Sequence, residues 1–105
     1  MAIAAARQLL LLHPDAGGFH LAPGAHATRA LDITSVTGNL VGAETCAVVD
    51  PRNNGKIEKD LAKIDAHTEL HRYVFFMSPK DPGTERRSKL EHPDHTVQVW
   101  SVDVE

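Results

Sequence analysis

The segment AETCAVVDPRNNGKIEKDLAKI, residues 43–64, constrains the fold more than any other part of the chain. It begins as a strand-like run, passes through a turn rich in Pro, Asn and Gly, and continues as an amphipathic helix. The apolar residues of that helix recur at i, i+4 and i+7: Ile57, Leu61 and Ile64. The pattern predicts a helix over about 54–65, capped by Asn53 or Asn54. A strand followed by such a helix is typical of a sheet with helices packed on it.

The flanking segments extend this pattern in both directions. Predicted helices cover the Ala/Leu-rich residues 2–12 and the short polar segment 84–90, and predicted strands cover residues 19–21, 28–37, 40–49, 73–77 and 97–104. The run at 73–77 is apolar without alternation, which favours a central strand covered on both faces. We therefore predict an α/β (α+β) fold of one domain over residues 1–105. It has a mixed sheet of four to five strands, two to three helices and the order αβββαβ(α)β.

Composition narrows the class of protein. A chain of 105 residues corresponds to one domain with a modest core, so a homodimer is a natural supplement. The longest aliphatic run, Leu9–Leu12, is far too short to span a bilayer, and no membrane association is expected. A lone cysteine, Cys46, excludes an internal disulfide and favours a cytoplasmic location. The net charge is −3, yet basic residues outnumber acidic ones between Arg52 and Lys89.

Two acidic residues on the predicted hairpin are the main candidates for chemistry. Glu44 lies on the second strand of the hairpin and Asp32 on the first. If the loop is 37–39, Asp32 lies directly opposite Glu44. If the loop is only 38–39, Asp32 faces Thr45 instead, because a register shift of one residue moves the side chains of a strand to the other face of the sheet. In the first register the two carboxylates are close enough to share a hard cation, and without one their like charges repel.

The order of elements, with Asp32 on one strand, Glu44 on the next and a basic helix after it, resembles the PD-(D/E)XK nuclease superfamily. The resemblance covers roughly residues 2–78. It implies that Asp32 and Glu44 bind Mg²⁺ or Mn²⁺, which activates a water for phosphodiester hydrolysis. It also implies a lysine that orients this water or neutralises developing charge.

The chain departs from that family pattern at the lysine. The family places it two residues after the glutamate, where this chain has Cys46. Residues 31–33 also lack the proline of the motif, and the first helix has no carboxylate. In some branches of the superfamily the lysine has moved to the following helix, so Lys56 and Lys63 are the candidate catalytic residues. An alternative is that both lysines are solvated charges on the helix surface.

The resulting function hypothesis is a small nuclease-like domain, a metal-dependent endonuclease or resolvase acting on DNA as a homodimer. Its candidate phosphate contacts are Arg52, Lys59, Arg86 and Arg87. A second hypothesis is a catalytically inactive relative that serves as a nucleic-acid-binding, protein-binding or assembly module. A third is an unrelated small protein with a protein-binding face.

Overall fold

The computed structural model describes residues 1–21, 31–52 and 55–103. In this part of the chain there are two α-helices, six strands and two short 3-10 turns. The elements are α1 (Ala2–Leu12), β1 (Phe19–Leu21), β2 (Ile33–Ser35), β3 (Val41–Ala47), α2 (Gly55–Asp65), β4 (His71–Met77), β5 (Glu85–Arg86) and β6 (Val97–Ser101). The 3-10 turns are Pro14–Ala16 and Ser88–Leu90. The α+β class predicted from the sequence is confirmed, with six strands instead of four to five.

The strands form one mixed sheet in the order β1-β2-β3-β4-β6-β5. β1, β2 and β3 pair antiparallel, whereas β4 pairs parallel with both β3 and β6. A parallel pair needs a crossover connection, and α2 supplies it between β3 and β4. The short strand β5 closes the other edge by pairing antiparallel with β6.

Strand β4 is central and buried on both faces, as its uninterrupted apolar sequence predicted. Val74 and Phe76 pack in the core cluster on the α2 side, while Tyr73 and Phe75 pack in the cluster on the α1 side. The predicted stripe of α2 lies in the first cluster, since all three of its apolar residues are buried there. Helix α1 contributes its buried face to the second cluster. The sheet is therefore sandwiched between two helical layers.

The hairpin register decides whether the acidic pair forms. Ile33 pairs with Ala43 and Thr34 with Gly42. Continued by one residue, this register sets Asp32 opposite Glu44, as the longer of the two possible loops requires. A side chain at position 42 would force its neighbours to shift, because a Cβ there would lie 2.6 Å from Leu31 Cδ1.

The segment 84–90, expected to be a short helix, is instead β5 followed by a 3-10 turn. Glu85 and Arg86 pair with β6, and the Arg87 amide donates a hydrogen bond to the Val99 carbonyl. The polar sequence fits an exposed edge strand, whose outer side faces solvent. The predicted cap residues Asn53 and Asn54 lie outside the described residues. None of the helices described in residues 1–21, 31–52 and 55–103 has the length and apolarity to cross a membrane.

Candidate functional site

Glu44 is a buried acid in the middle of the sheet. It lies on β3, where its neighbour Cys46 on the same face packs against α2. Only 2% of Glu44 is exposed. Because a buried carboxylate is unfavourable unless it is paired or hydrogen-bonded, its partners define the site.

Asp32 meets Glu44 across the start of the hairpin. The Asp32 amide donates to Glu44 Oε2 at 3.1 Å. In return, the Thr45 amide and hydroxyl donate to Asp32 Oδ2 at 2.9 and 3.1 Å. Just before β2 begins, the Asp32 side chain thus accepts the hydrogen bonds from Thr45 in place of a backbone carbonyl of a neighbouring strand. These reciprocal bonds fix both carboxyl groups relative to one another.

Lys63, in the last turn of α2, forms an ion pair with Glu44 Oε1. The lysine side chain is half exposed, whereas that of Glu44 is 3% exposed. An aliphatic stem that reaches inward from a solvated helix surface is a common way for lysine to meet a buried anion. Lys63 is therefore the predicted lysine that contacts the acidic pair.

Burial raises the pKa of Glu44 to about 7. The hydrogen bond from Lys63 opposes this rise, and the nearby Asp32 carboxyl adds to it. The same pairing raises the pKa of Lys63, because Glu44 stabilises the ammonium form. Glu44 therefore titrates near neutral pH, and a cation at this place favours its ionised form.

Cys46, two residues after Glu44 on β3, is a neutral thiol. It is 6% exposed, and burial together with Asp60 raises its pKa to about 12. It supplies neither the positive charge of an ammonium group nor a reactive thiolate. The position is instead part of the core under α2.

Asp60 is a residue of this site that sequence reasoning did not select. Its carboxylate is hydrogen-bonded to Cys46, and burial raises its pKa. Its place between Lys56 and Lys63 on one helix face is visible in the sequence, but such a row of charges is equally typical of a solvated helix surface. The buried partner, Cys46, could not be inferred without the packing of α2 on β3.

The other predicted lysine, Lys56, is exposed in the first turn of α2. Its positive charge opposes the rise in the pKa values of Cys46 and Asp60, because it favours their ionised forms. Of the two predicted catalytic lysines, Lys63 is the one that is hydrogen-bonded to Glu44.

The four predicted phosphate contacts lie in different surroundings. Lys59 is an exposed residue of α2. Arg52 forms a two-bond pair with Asp81, and Arg86 forms one with Glu91. Arg87 donates to Ser101 and to the carbonyl of Pro82. The three arginines therefore already have internal partners, and their role in binding DNA stays a prediction.

The donor set suits a hard cation that keeps most of its own water. Mg²⁺ is commonly bound by one or two carboxylates together with water and substrate phosphate, and Asp32 and Glu44 supply two. A cation there would relieve the repulsion that Asp32 exerts on ionised Glu44. In the described part of the chain there is no group of three or more His, Cys, Asp or Glu residues placed to hold a metal. Two carboxylates are fewer than the three or four protein ligands that Zn²⁺ prefers.

Comparisons of the chain with protein-family models, with curated proteins and with solved structures found no match.

Proposed function

We propose that this chain is a nuclease-like domain that hydrolyses phosphodiester bonds of DNA with Mg²⁺ or Mn²⁺. Asp32 and Glu44 hold the ion, and Lys63 acts as the displaced catalytic lysine. The observation that supports the proposal is that Glu44 on β3 interacts with the Asp32 carboxyl group beside β2 and forms an ion pair with Lys63 on α2. Their geometry joins two oxygen ligands to one ammonium group, as phosphoryl transfer requires.

Each residue has a distinct role in this proposal. The ion, when bound, supplies a Lewis acid that lowers the pKa of a water and neutralises phosphate charge. Asp32, held by Thr45, keeps its free carboxylate oxygen available as a ligand. Lys63 favours the ionised form of Glu44 and can donate from its ammonium group to a phosphate oxygen.

The first test is metal binding measured through stability. Titration with Mn²⁺ should raise the melting temperature of the wild type, because a ligand that binds only the folded state stabilises it. Glu44→Gln should abolish the rise. Asp15→Asn, which removes an exposed carboxylate beyond the end of α1, should leave it unchanged. A rise that survives Glu44→Gln would place the metal elsewhere.

The second test is cleavage of plasmid and branched DNA with Mn²⁺. Lys63→Met should still bind Mn²⁺ at a pH high enough to ionise Glu44, because both carboxylate ligands remain. The same variant should lose cleavage by about a hundredfold or more, as expected when a transition-state charge contact is removed. Equal cleavage by both proteins would remove Lys63 from the mechanism.

A second candidate function is an inactive relative that works as a binding or assembly module. The favouring observation is that Lys63 already pairs with Glu44, which is almost inaccessible. A folded protein that binds DNA without any stabilisation by Mn²⁺ would support this candidate against the first. The predicted homodimer is tested separately by sedimentation equilibrium, since cutting both strands of DNA calls for two sites.

A further inference from the structure

A second cluster of charged residues lies around β5 and the 3-10 turn that follows it. Arg52, Arg86, Arg87 and Lys89 line one cavity of about 450 Å³ together with the hydroxyl-bearing Ser88. A volume of this size accommodates a small molecule or a segment of a polymer. The only carboxylate that lines it among the described residues is Glu85, which is largely exposed.

Two buried carboxylates, those of Asp81 and Glu91, hold the arginines of this cavity in place. Arg52 bonds both oxygens of Asp81 at 3.0 Å, and Asp81 is 4% exposed. Arg87 lies 3.8 Å from the same carboxylate and 3.7 Å from that of Glu85. With Lys89 counted, the four basic residues of the cavity outnumber these two carboxylates and that of Glu91 by one charge.

The third arginine is held in the same way. Arg86 bonds both oxygens of Glu91 at 2.8 Å, and the Glu91 side chain is fully buried. Each guanidinium has five N–H donors, and a bidentate pair with carboxylate uses only two of them. The remaining donors of Arg86 and Arg52 are available on side chains that are 40% and 57% exposed.

We propose that the cavity formed by Arg52, Arg86, Arg87, Ser88 and Lys89 is a phosphate-binding site, separate from the acidic pair. Guanidinium groups match phosphate geometry with two parallel hydrogen bonds, and a pre-fixed orientation reduces the entropy lost on binding. Lys89 adds a mobile charge at the rim, where it is exposed. The phosphate belongs either to a nucleic-acid backbone or to a small phosphate compound. The site does not depend on the proposed cleavage.

Calorimetric titration in the presence of EDTA tests this site without involving the acidic pair. The two probes are pyrophosphate and a single-stranded DNA oligonucleotide of about ten nucleotides. The wild type should bind at least one of them. Tighter binding of the oligonucleotide with strong salt dependence assigns the phosphate to nucleic acid, and equal or tighter binding of pyrophosphate assigns it to a small compound. Absence of binding by both probes overturns the proposal.

Two variants and a control distinguish binding at this cavity from attraction to the net charge of the protein. Lys89→Glu should weaken binding about tenfold or more, the equivalent of one lost charge-assisted hydrogen bond. Arg7→Glu makes the same change in net charge at an exposed residue of α1 that does not line the cavity, and should leave binding unchanged. Arg86→Lys keeps the charge but removes the planar fork, so it should also weaken binding about tenfold.

Melting temperatures show whether each variant is folded. Equal losses of affinity in Lys89→Glu and Arg7→Glu would show that only net charge matters, and this would refute the phosphate site. Wild-type affinity in a folded Arg86→Lys variant would refute the role of the fixed arginine.

Discussion

Replacing Lys63 by methionine should destabilise the protein in a manner that depends on pH. Methionine keeps most of the aliphatic stem and removes only the ammonium group that pairs with Glu44. Exposed ion pairs contribute about 0–1 kcal/mol and breaking a buried pair costs about 3–5 kcal/mol. With Glu44 buried and Lys63 half exposed, we expect a loss of about 2 kcal/mol at pH 8, between these two ranges.

The loss should nearly vanish at pH 5. The pKa of Glu44 is raised from 4.5 to about 7, so the folded protein holds a neutral carboxyl at pH 5. An acid whose pKa is raised on folding makes the wild type less stable as pH rises from about 4.5 to about 7. The size of this fall is on the order of 1.4 kcal/mol per unit of pKa shift. Without Lys63 the pKa of Glu44 rises further, and the fall continues to higher pH.

A double-mutant cycle isolates the pair from the other titrating groups, the seven histidines among them. Wild type, Lys63→Met, Glu44→Gln and the double variant are unfolded in urea at pH 5 and pH 8. The fluorescence of Trp100, the single tryptophan, reports the transition. The Lys63→Met effect should disappear in the Glu44→Gln background. A loss that is equal at both pH values, or that persists without the Glu44 carboxylate, would refute the argument.

Three further predictions concern other parts of the structure. Cys46 should react with a thiol reagent at neutral pH only at the rate of unfolding, because it is buried and its pKa is about 12; rapid labelling in native buffer would contradict this. Gly42→Ala should cost about 1–3 kcal/mol in urea unfolding, since the new Cβ would meet Leu31; an unchanged midpoint would show that Leu31 can move. Glu91→Gln should cost about 2 kcal/mol at pH 7 by weakening its bonds to Arg86. Because Arg86 helps to keep the pKa of Glu91 below 4.5, that difference should shrink as pH falls below 4.5, and a constant difference in thermal melts would argue against the ion pair.

The layers of the fold were predictable because hydrophobic periodicity reports burial directly. The unbroken run at 73–77 and the stripe of α2 each predicted their element, and both lie in the core as expected. The short strand β5 was not predictable, because its two residues, Glu85 and Arg86, are both exposed. It exists through pairing with β6, a contact remote in sequence that local propensity does not contain.

The candidate site was predictable only in part. The residue types of Asp32 and Glu44 and their positions on neighbouring strands could be read from the chain, but their register depended on which residues form the turn. In the structure the turn spans residues 36–40, and Asn39 adopts a positive φ of 59°. That choice sets Asp32 opposite Glu44. The partner of Glu44 required tertiary structure, since Lys56 and Lys63 look equivalent along the helix stripe.

The burial of position 46 gives a physical reason for a lysine on the helix instead of the strand. Cys46 lies under α2 in a cluster of apolar side chains, where an ammonium group would lose its hydration. Lys63 pairs with the Glu44 carboxylate from the helix surface while half of the lysine side chain stays exposed. Placing the cation on α2 therefore preserves the charge at Glu44 and leaves the strand free to complete the core. The proposed acidic site therefore does not need a cation from position 46, as long as Lys63 is present.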